Sequence, residues 1–498
     1  MLSALIWVPI ISAALVGFLP GTVTANVARQ LALAVATGVF IWSVVLLLQF
    51  NPSDVNQQFQ ENLPWIDALG LTYSLGVDGL SLPLLVLNSF LTGVALYSSD
   101  DNLERPRLYY PLILLLNGAV AGAFLAQDLL LFFLFYEIEL IPLYLLIAIW
   151  GGQRRGYAAT KFLLYTAISG ALILAAFLGV VLLGGASSFA YKDTFEVASL
   201  LPQFQQLLLL GAILVGFGIK TPFVPFHTWL PDAHVEASTP ISILLAGVLL
   251  KLGTYGLLRF GLGLFPEAWA SLANVLAIWA VVSVLYGSFN AIAQTDMKKM
   301  VAYSSVGHMG YILLAAAAAT PLSLAAAVLQ MVSHGLISAL LFLLVGIVYK
   351  KTGSRDLDVL NGLLTPERGL PLIGSLMVLG VMASAGIPGM VGFISEFMVF
   401  RGSFPVFPVQ TLLSMLGTGL TAVYLLRLLD RAFFGRLSTQ VLDLPKVLWK
   451  ERIPGIVLAI LIVILGIQPG WLVALSEKTT AAMVPTLPTV ALQESTEG

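Results

Sequence analysis

Cysteine is missing from all 498 residues, which excludes thiolate-ligated iron–sulfur clusters and any disulfide framework. Charge is scarce: Asp, Glu, Lys and Arg together make up 10% of the chain, against about 25% in a soluble domain. A net charge of -2 leaves no electrostatic footprint for nucleic acid. Also absent are a Walker A loop, a dinucleotide fingerprint, a nucleophile elbow and a haem-attachment motif, so no hydrolytic or redox centre is announced. What fills the sequence is apolar: 58% hydrophobic residues and a mean hydropathy of +0.95. The solvent of such a chain is mostly lipid. The segment MLSALIWVPIISAALVGFL lacks a basic n-region and a small-residue cleavage site, so it reads as a retained first helix, not a signal peptide.

Apolar runs of about 20 residues, enough to cross a bilayer, fall at 2–19, 29–50, 78–98, 108–126, 128–150, 157–184, 204–226, 239–262, 271–293, 299–318, 322–349, 370–400, 407–434 and 453–475. The sequence predicts an all-α membrane protein with about fourteen transmembrane helices. The loop 51–77, containing PWIDALG, suggests a short interfacial helix, and the polar tail from about 476 a loosely ordered end.

Basic residues test this count. Loops after odd-numbered helices hold Arg29, Arg105, Arg107, Arg154, Arg155, Lys298, Lys299, Lys350, Lys351, Arg355, Arg368, Arg436, Lys446, Lys450 and Arg452; the other loops and the termini hold Lys192, Arg259, Arg401 and Lys478. A miscounted central helix would scramble that asymmetry. By the positive-inside rule the richer set faces the cytoplasm or stroma, which puts both termini on the lumenal side.

Ionisable residues inside the runs need a reason to be there. Lys220 ends QLLLLGAILVGFGIK and Lys251 lies inside ISILLAGVLLKLGTYGLL. A lysine at the centre of a membrane helix costs roughly 3 kcal/mol on insertion scales, and burial favours the neutral amine, so such a residue can surrender a proton near neutral pH. Glu137 and Glu139 occur in FYEIELIP, Lys161 in ATKFLLYT, Glu396 in GFISEFMVF, His308 in SSVGHMGY and His334 in MVSHGLIS. Any one of them can serve a structural bond between helices, and that bland reading suits Glu139, Arg259, Arg427 and Asp430. It suits Glu137, Lys220, Lys251 and Glu396 less well, since several lie in mid-span. Together they point to a proton path.

Two segments look like a duplicated device. GIKTPFVPFHTWLPDA and SAGIPGMVGFISEFM each interrupt an apolar run with proline or glycine beside an ionisable residue, Lys220 and Glu396. Irregular backbone at membrane depth is tolerated where it is buried or lines a water-filled cavity, and matched breaks in two halves mark the transport site of inverted-repeat folds. The expected repeats are 108–262 (helices 4–8) and 271–434 (helices 9–13), preceded by helices 1–3 within 1–98 and followed by helix 14 at 453–475 and a tail, 476–498. His227, Asp232, His234 and Glu236 in HTWLPDAHVEAS straddle a proline-containing loop without a tight His-x-x-x-His pair. They read as pins for the broken helix, and no metal site is expected.

GVDGLSLPLLVL, QDLLLFFLFYEIELIPLYLLIAIWGG, IKTPFVPFHTWLPDAHVEAS, LLKLGTYGLLRF, DMKKMVAYSSVGHMGYIL, MVSHGLISALLF and GIPGMVGFISEF together resemble the antiporter-like subunit M of complex I-type enzymes, called NdhD in cyanobacteria and chloroplasts. The resemblance spans nearly the whole chain, and Glu139 in YEIELIP is similar to the photosynthetic members. It implies fourteen core helices, with helices 7 and 12 broken, and proton translocation within a quinone-reducing complex. The family's proton-path residues map onto Glu137, Lys220, Lys251, His334 and Glu396, with Lys161 and His308 on or near the same axis. The resemblance further implies Glu137 as the countercharge of Lys220, and no cofactor bound by this chain. Iron–sulfur clusters and plastoquinone would belong to other subunits. Its partners would be the other membrane subunits, a second antiporter-like subunit among them, and lipids in a cyanobacterial thylakoid membrane. A subunit of a multisubunit sodium/proton antiporter shares most of these motifs, and a subunit of a hydrogenase-linked complex is a related alternative. A spacer without transport would leave the mid-membrane charges without a purpose.

Overall fold

A computed structural model describes residues 1–18, 24–101, 103–366, 369–438 and 444–485. Arg368 and the end of the polar tail, 486–498, lie outside the described residues.

The chain is a helical membrane protein. Among the described residues ten helices are long and apolar enough to cross a membrane, or eleven if the pair Trp449–Ile467 and Gly470–Ala481, bent by 68°, counts as one span. The sequence predicts about fourteen; the apolar helices Leu2–Gly17, Ser81–Tyr97 and Pro371–Ser384 are shorter than a full span. Where a loosely ordered tail is expected from about 476, the chain is helical through Ala481, in Gly470–Ala481.

One element differs outright. The loop 51–77 holds no interfacial helix; it folds into an antiparallel hairpin of Gln58–Ile66 and Leu71–Val77, pairing Glu61 with Leu75 and Leu63 with Tyr73. LTYSLGV is built from β-formers, Gly70 takes the left-handed turn (φ +62°), and of PWIDALG only Asp67–Leu69 makes a single 3₁₀ turn.

Breaks in the helices follow local chemistry. Asp128 starts the span Leu129–Trp150 by accepting from the N–H groups of Leu130 (3.0 Å) and Leu131 (3.1 Å). That span is jointed at Glu139, between Leu129–Ile138 and Leu140–Trp150. Pro142 causes the joint, because its missing N–H leaves the carbonyl of Ile138 without its helical donor. Helix Gln203–Lys220 stops at Lys220, earlier than the expected 226, since Pro222 and Pro225 cannot continue it; the chain resumes as Trp229–Glu236. The second break separates Pro371–Ser384 from Val391–Ser403, and there Gly386 and Gly389 take φ of +70° and +93°. Pro225 in the first break and Ile387, Pro388 and Gly389 in the second reach the outer surface of the chain.

Thr239–Leu262 is a wholly buried span, and its helix is uneven. Two π-helical stretches, Leu245–Leu249 and Leu257–Leu262, bracket the α-helical Leu250–Gly256 that carries Lys251. Glycine lets neighbouring helices touch. A Cβ added at Gly287 in Pro266–Ile292 would lie 2.7 Å from the backbone nitrogen of Gly307 in Met297–Ala318.

Candidate functional site

The buried charges form two clusters. In the first, Lys220 is 1% exposed and pairs with Glu139, which is fully buried. The resemblance implies Glu137 as the countercharge of Lys220; the direct ion pair is made by Glu139, and Glu137 is reached only through space. Residues two apart on a helix point roughly 200° away from each other, and only Glu139, at the Pro142 joint, turns inward. Glu137 is half-buried and packs against Gly170, although the ammonium of Lys220 also acts on it across space. One carboxylate oxygen of Glu139, Oε2, has no hydrogen-bond partner. The ring of Tyr136 covers the ammonium, with Lys220 Nζ 4.5 Å from its centroid. Tyr136 is fixed in turn by Ser169 (2.9 Å), whose Oγ donates to Gly216 O at 2.7 Å.

The second cluster is a row. Lys251 Nζ donates to Ala246 O at 2.5 Å and lies 2.7 Å from His334 Nδ1. The rings of His334 and His308 are 5.6 Å apart. His308 Nδ1 lies 2.7 Å from Ser304 O, and its Nε2 lies 3.4 Å from Glu396 Oε1. Glu396 Oε2 accepts from Thr418 Oγ1 at 2.8 Å, and Tyr311 OH lies 3.2 Å from the same hydroxyl. His308, His334, Glu396, Ser304, Gln330 and Ser333 line a polar cavity about the size of one water molecule. The two clusters abut where Leu250–Gly256 meets the end of Gln203–Lys220: a Cβ at Gly253 would sit on Thr221.

Two residues are placed off this row. Lys161 bonds Asp232 at 2.8 Å, tying helix Arg155–Gly184 to Trp229–Glu236 beyond the first break. Arg259, assigned above to a loop, lies in the π-helical Leu257–Leu262 and ion-pairs with buried Asp78, which also accepts from Gln57 Nε2 at 2.7 Å. Among the described residues no three His, Asp or Glu side chains converge to hold a metal ion. His227 and His234 do not share a ligand set: His227 packs on Tyr286, and His234 stacks on Phe342.

Sequence reasoning missed Tyr136 as the cover of Lys220 and Thr418 as the donor to Glu396. Tyr136 sits beside Glu137 in FYEIELIP, where an aromatic reads as lipid-facing. Thr418 gives no local signal, because it meets Glu396 through a helix pairing 22 residues along the chain.

Chemically the site is a line of groups that can gain or lose a proton, held at membrane depth, with the acidic end of the row on the second broken helix. The arrangement suits moving a proton.

Known proteins agree with this shape. The family described as NADH:quinone oxidoreductase/Mrp antiporter, transmembrane region, matches residues 126–421. NAD(P)H-quinone oxidoreductase chain 4 2 of Microcystis aeruginosa is 44% identical over 446 residues, covering 87% of this chain and 79% of its own. Chain 4-3 of Nostoc sp. is 43% identical over 443 residues, covering 87% of this chain and 78% of its own. A chain of respiratory complex I from Thermus thermophilus superposes with a TM-score of 0.87 at 27% identity, covering 97% of this chain and 100% of that one. A chain of the Mrp complex from Dietzia sp. shares the fold, with a TM-score of 0.84 at 21% identity over 97% of both chains.

Proposed function

Because this chain belongs to the family of membrane subunits shared by NADH:quinone oxidoreductases and Mrp antiporters, we propose that it is the proton-translocating, antiporter-like subunit of a quinone-reducing NDH complex. Electron transfer, with its iron–sulfur clusters and plastoquinone, belongs to neighbouring subunits, and this chain binds no cofactor. The observation that carries the reading is the buried row Lys251, His334, His308, Glu396 beside the Lys220–Glu139 pair.

Glu139 sets the charge state of Lys220. A unit charge about 4 Å away in an effective dielectric of about 20 is worth about 4 kcal/mol. Protonating Glu139 removes that hold, and Lys220 yields its proton towards Lys251. Glu137, within electrostatic reach of Lys220, is the station from which a proton arrives at Glu139. From Lys251 the proton passes to His334 and His308, and Glu396 is the exit station. Lys161, paired with Asp232, orients the first broken helix.

The architecture we assign has fourteen spans. The three shorter apolar helices and the bent pair supply those beyond the ten long ones. Helices 1–3 lie in 1–98, inverted repeats occupy 108–262 and 271–434, and helix 14 is at 453–475. The breaks after Lys220 and before Glu396 stand in corresponding places of the two halves, which supports the repeat. The basic loops face the cytoplasm and both termini the lumen of a cyanobacterial thylakoid. The partners are membrane subunits of the complex, among them a second antiporter-like subunit, and lipids.

The test is proton translocation per quinone reduced by the purified complex in vesicles. Lys220→Ala and Glu396→Gln should each leave assembly and quinone reduction largely intact and lower translocation to a similar degree. The control is Glu196→Gln, in helix Tyr191–Ala198 between two spans; normal pumping by Glu396→Gln with loss in Glu196→Gln overturns the reading. The fold-level likeness to the Mrp chain supports a second reading, a subunit of a sodium/proton antiporter. Poor growth of a deletion strain in high sodium at alkaline pH favours it.

A further inference from the structure

Several threonines inside the helices of this chain send their hydroxyl protons back along their own backbone. Thr92, Thr166 and Thr421 each donate to the carbonyl four residues earlier, at 2.8, 2.7 and 3.0 Å, the usual habit of a threonine in a helix interior. Thr418, in Pro408–Ala432, departs from it: its Oγ1 donates across to Glu396 Oε2 at 2.8 Å. Tyr311, in Met297–Ala318, is 1% exposed and brings its hydroxyl to 3.2 Å from the same Oγ1. Gly417 makes room for it, since a Cβ there would lie 2.9 Å from the Tyr311 oxygen.

Counting protons fixes the direction of these bonds. A hydroxyl has one proton, and that of Thr418 is spent on Glu396, so Tyr311 is the donor in its contact with Thr418. Two hydroxyls in series therefore aim at one carboxylate oxygen, and each strengthens the next. The other oxygen, Oε1, faces His308 Nε2 at 3.4 Å. Gly386, in the left-handed turn of the second break, packs against the hydroxyl side: a Cβ there would sit 3.3 Å from Glu396 Oε2 and 3.4 Å from Thr418 Cγ2. The two oxygens of Glu396 thus keep different company, hydroxyls on one and the relay on the other.

We propose that Thr418 and Tyr311 are positioning residues for Glu396, whose serial hydroxyls hold Oε2 in place and leave Oε1 as the oxygen that takes the proton from His308. The proposal rests on the proton-pumping reading above. When the N–H bond of His308 breaks and an O–H bond forms at Oε1, Oε2 becomes a carbonyl oxygen and still accepts from Thr418. No hydroxyl has to turn. The proton later leaves Oε1 for water, and the carboxylate is restored. Thr418 bonds the carboxylate more strongly than the neutral acid, so the pair works against a proton staying on Glu396. The last station of a row needs that bias, because an acid that keeps its proton blocks the next.

The experiment uses the whole complex in vesicles and reads protons moved per quinone reduced across a range of pH. Thr418→Val removes the hydroxyl and keeps the branched shape. It leaves in place the titratable groups that face Glu396: His308 and Tyr311 on Met297–Ala318, His334 on Pro321–Thr352 and Tyr424 on Pro408–Ala432. Without its donor the carboxylate is less favoured. Pumping should fall several-fold at neutral pH, and its profile should move up by about one pH unit. Thr418→Ser should return both to the parent's values. Tyr311→Phe keeps the ring against Phe400, with centroids 5.5 Å apart, and should shift the profile the same way by less. Thr411→Val on the same helix is the control, because the Thr411 hydroxyl has no partner among the described residues; an equal shift there overturns the proposal. So does a parent-like profile in Thr418→Val, a loss equal at every pH, or a loss that Thr418→Ser does not relieve. Where Thr418→Val fails to assemble, Tyr311→Phe decides, and an unshifted profile there overturns the proposal. Normal pumping by Glu396→Gln is a different failure, that of the pump reading itself. Loss in Glu396→Gln with a parent-like Thr418→Val removes only the positioning role.

Discussion

The ammonium of Lys220 has one carboxylate and one aromatic face for company, so its chemistry depends on those few atoms. If release of its proton is the working step, Lys220→Arg should fail as fully as Lys220→Ala, since guanidinium does not deprotonate in proteins. Full pumping by Lys220→Arg in vesicles leaves only a fixed positive charge as its role. The two neighbouring acids separate cleanly. Glu139→Gln strands a buried ammonium, and breaking such a pair costs about 3–5 kcal/mol, so the complex should melt at a lower temperature. Glu137→Gln, at a half-buried position that makes no ion pair among the described residues, should leave the melting temperature near that of the parent while lowering translocation. Equal melting temperatures for the two variants would argue against Glu139 as the partner.

Elements were legible where backbone chemistry is local. Pro222 and Pro225 announce the first break, and Gly386, Pro388 and Gly389 the second. The hairpin at Gln58–Val77 was not: its strands alternate weakly, and PWIDALG looks helical until Leu71–Val77 is there to pair with it. Lys251, His334, His308 and Glu396 could be named as candidates, but their order in space could not be read, because the contact of Lys251 with His334 joins residues 83 apart. The joint at Pro142 explains why Glu139 makes the direct pair with Lys220 while Glu137 acts on it across space, and a proline three residues after an acid was the available signal. Helix packing gives its own test. Gly287→Ala forces a Cβ against the backbone of Gly307, whereas Gly38 in Ala25–Gln49 has open space around its Cα. Gly287→Ala should lower the yield and melting temperature of the assembled complex, and Gly38→Ala should not. Equal yields would mean the two helices can separate without loss.

Across the whole molecule the proposed fourteen-span topology makes one simple demand. A reporter fused after Lys478 and a reporter in the 350–369 loop should face opposite sides of the membrane; finding both on one side removes that count. Placing Arg259 in the helix interior, paired with Asp78, takes it from the poorer set of loops and sharpens the charge asymmetry. The breaks have a consequence for the life of the protein before it works. Pro225 and the stretch Ile387–Gly389 present irregular backbone on the outside of the bundle, and hydrocarbon tails offer no hydrogen bond to satisfy it. Local bonds take up part of it, Ile387 N to Met382 O at 3.0 Å and Met390 N to Ile387 O at 3.3 Å, and the remainder would be exposed in a copy made alone. If a neighbouring subunit covers those stretches, a copy made without its partners should be cleared by membrane proteases faster than one in the assembled complex, and a pulse-chase comparison of the two would read the difference.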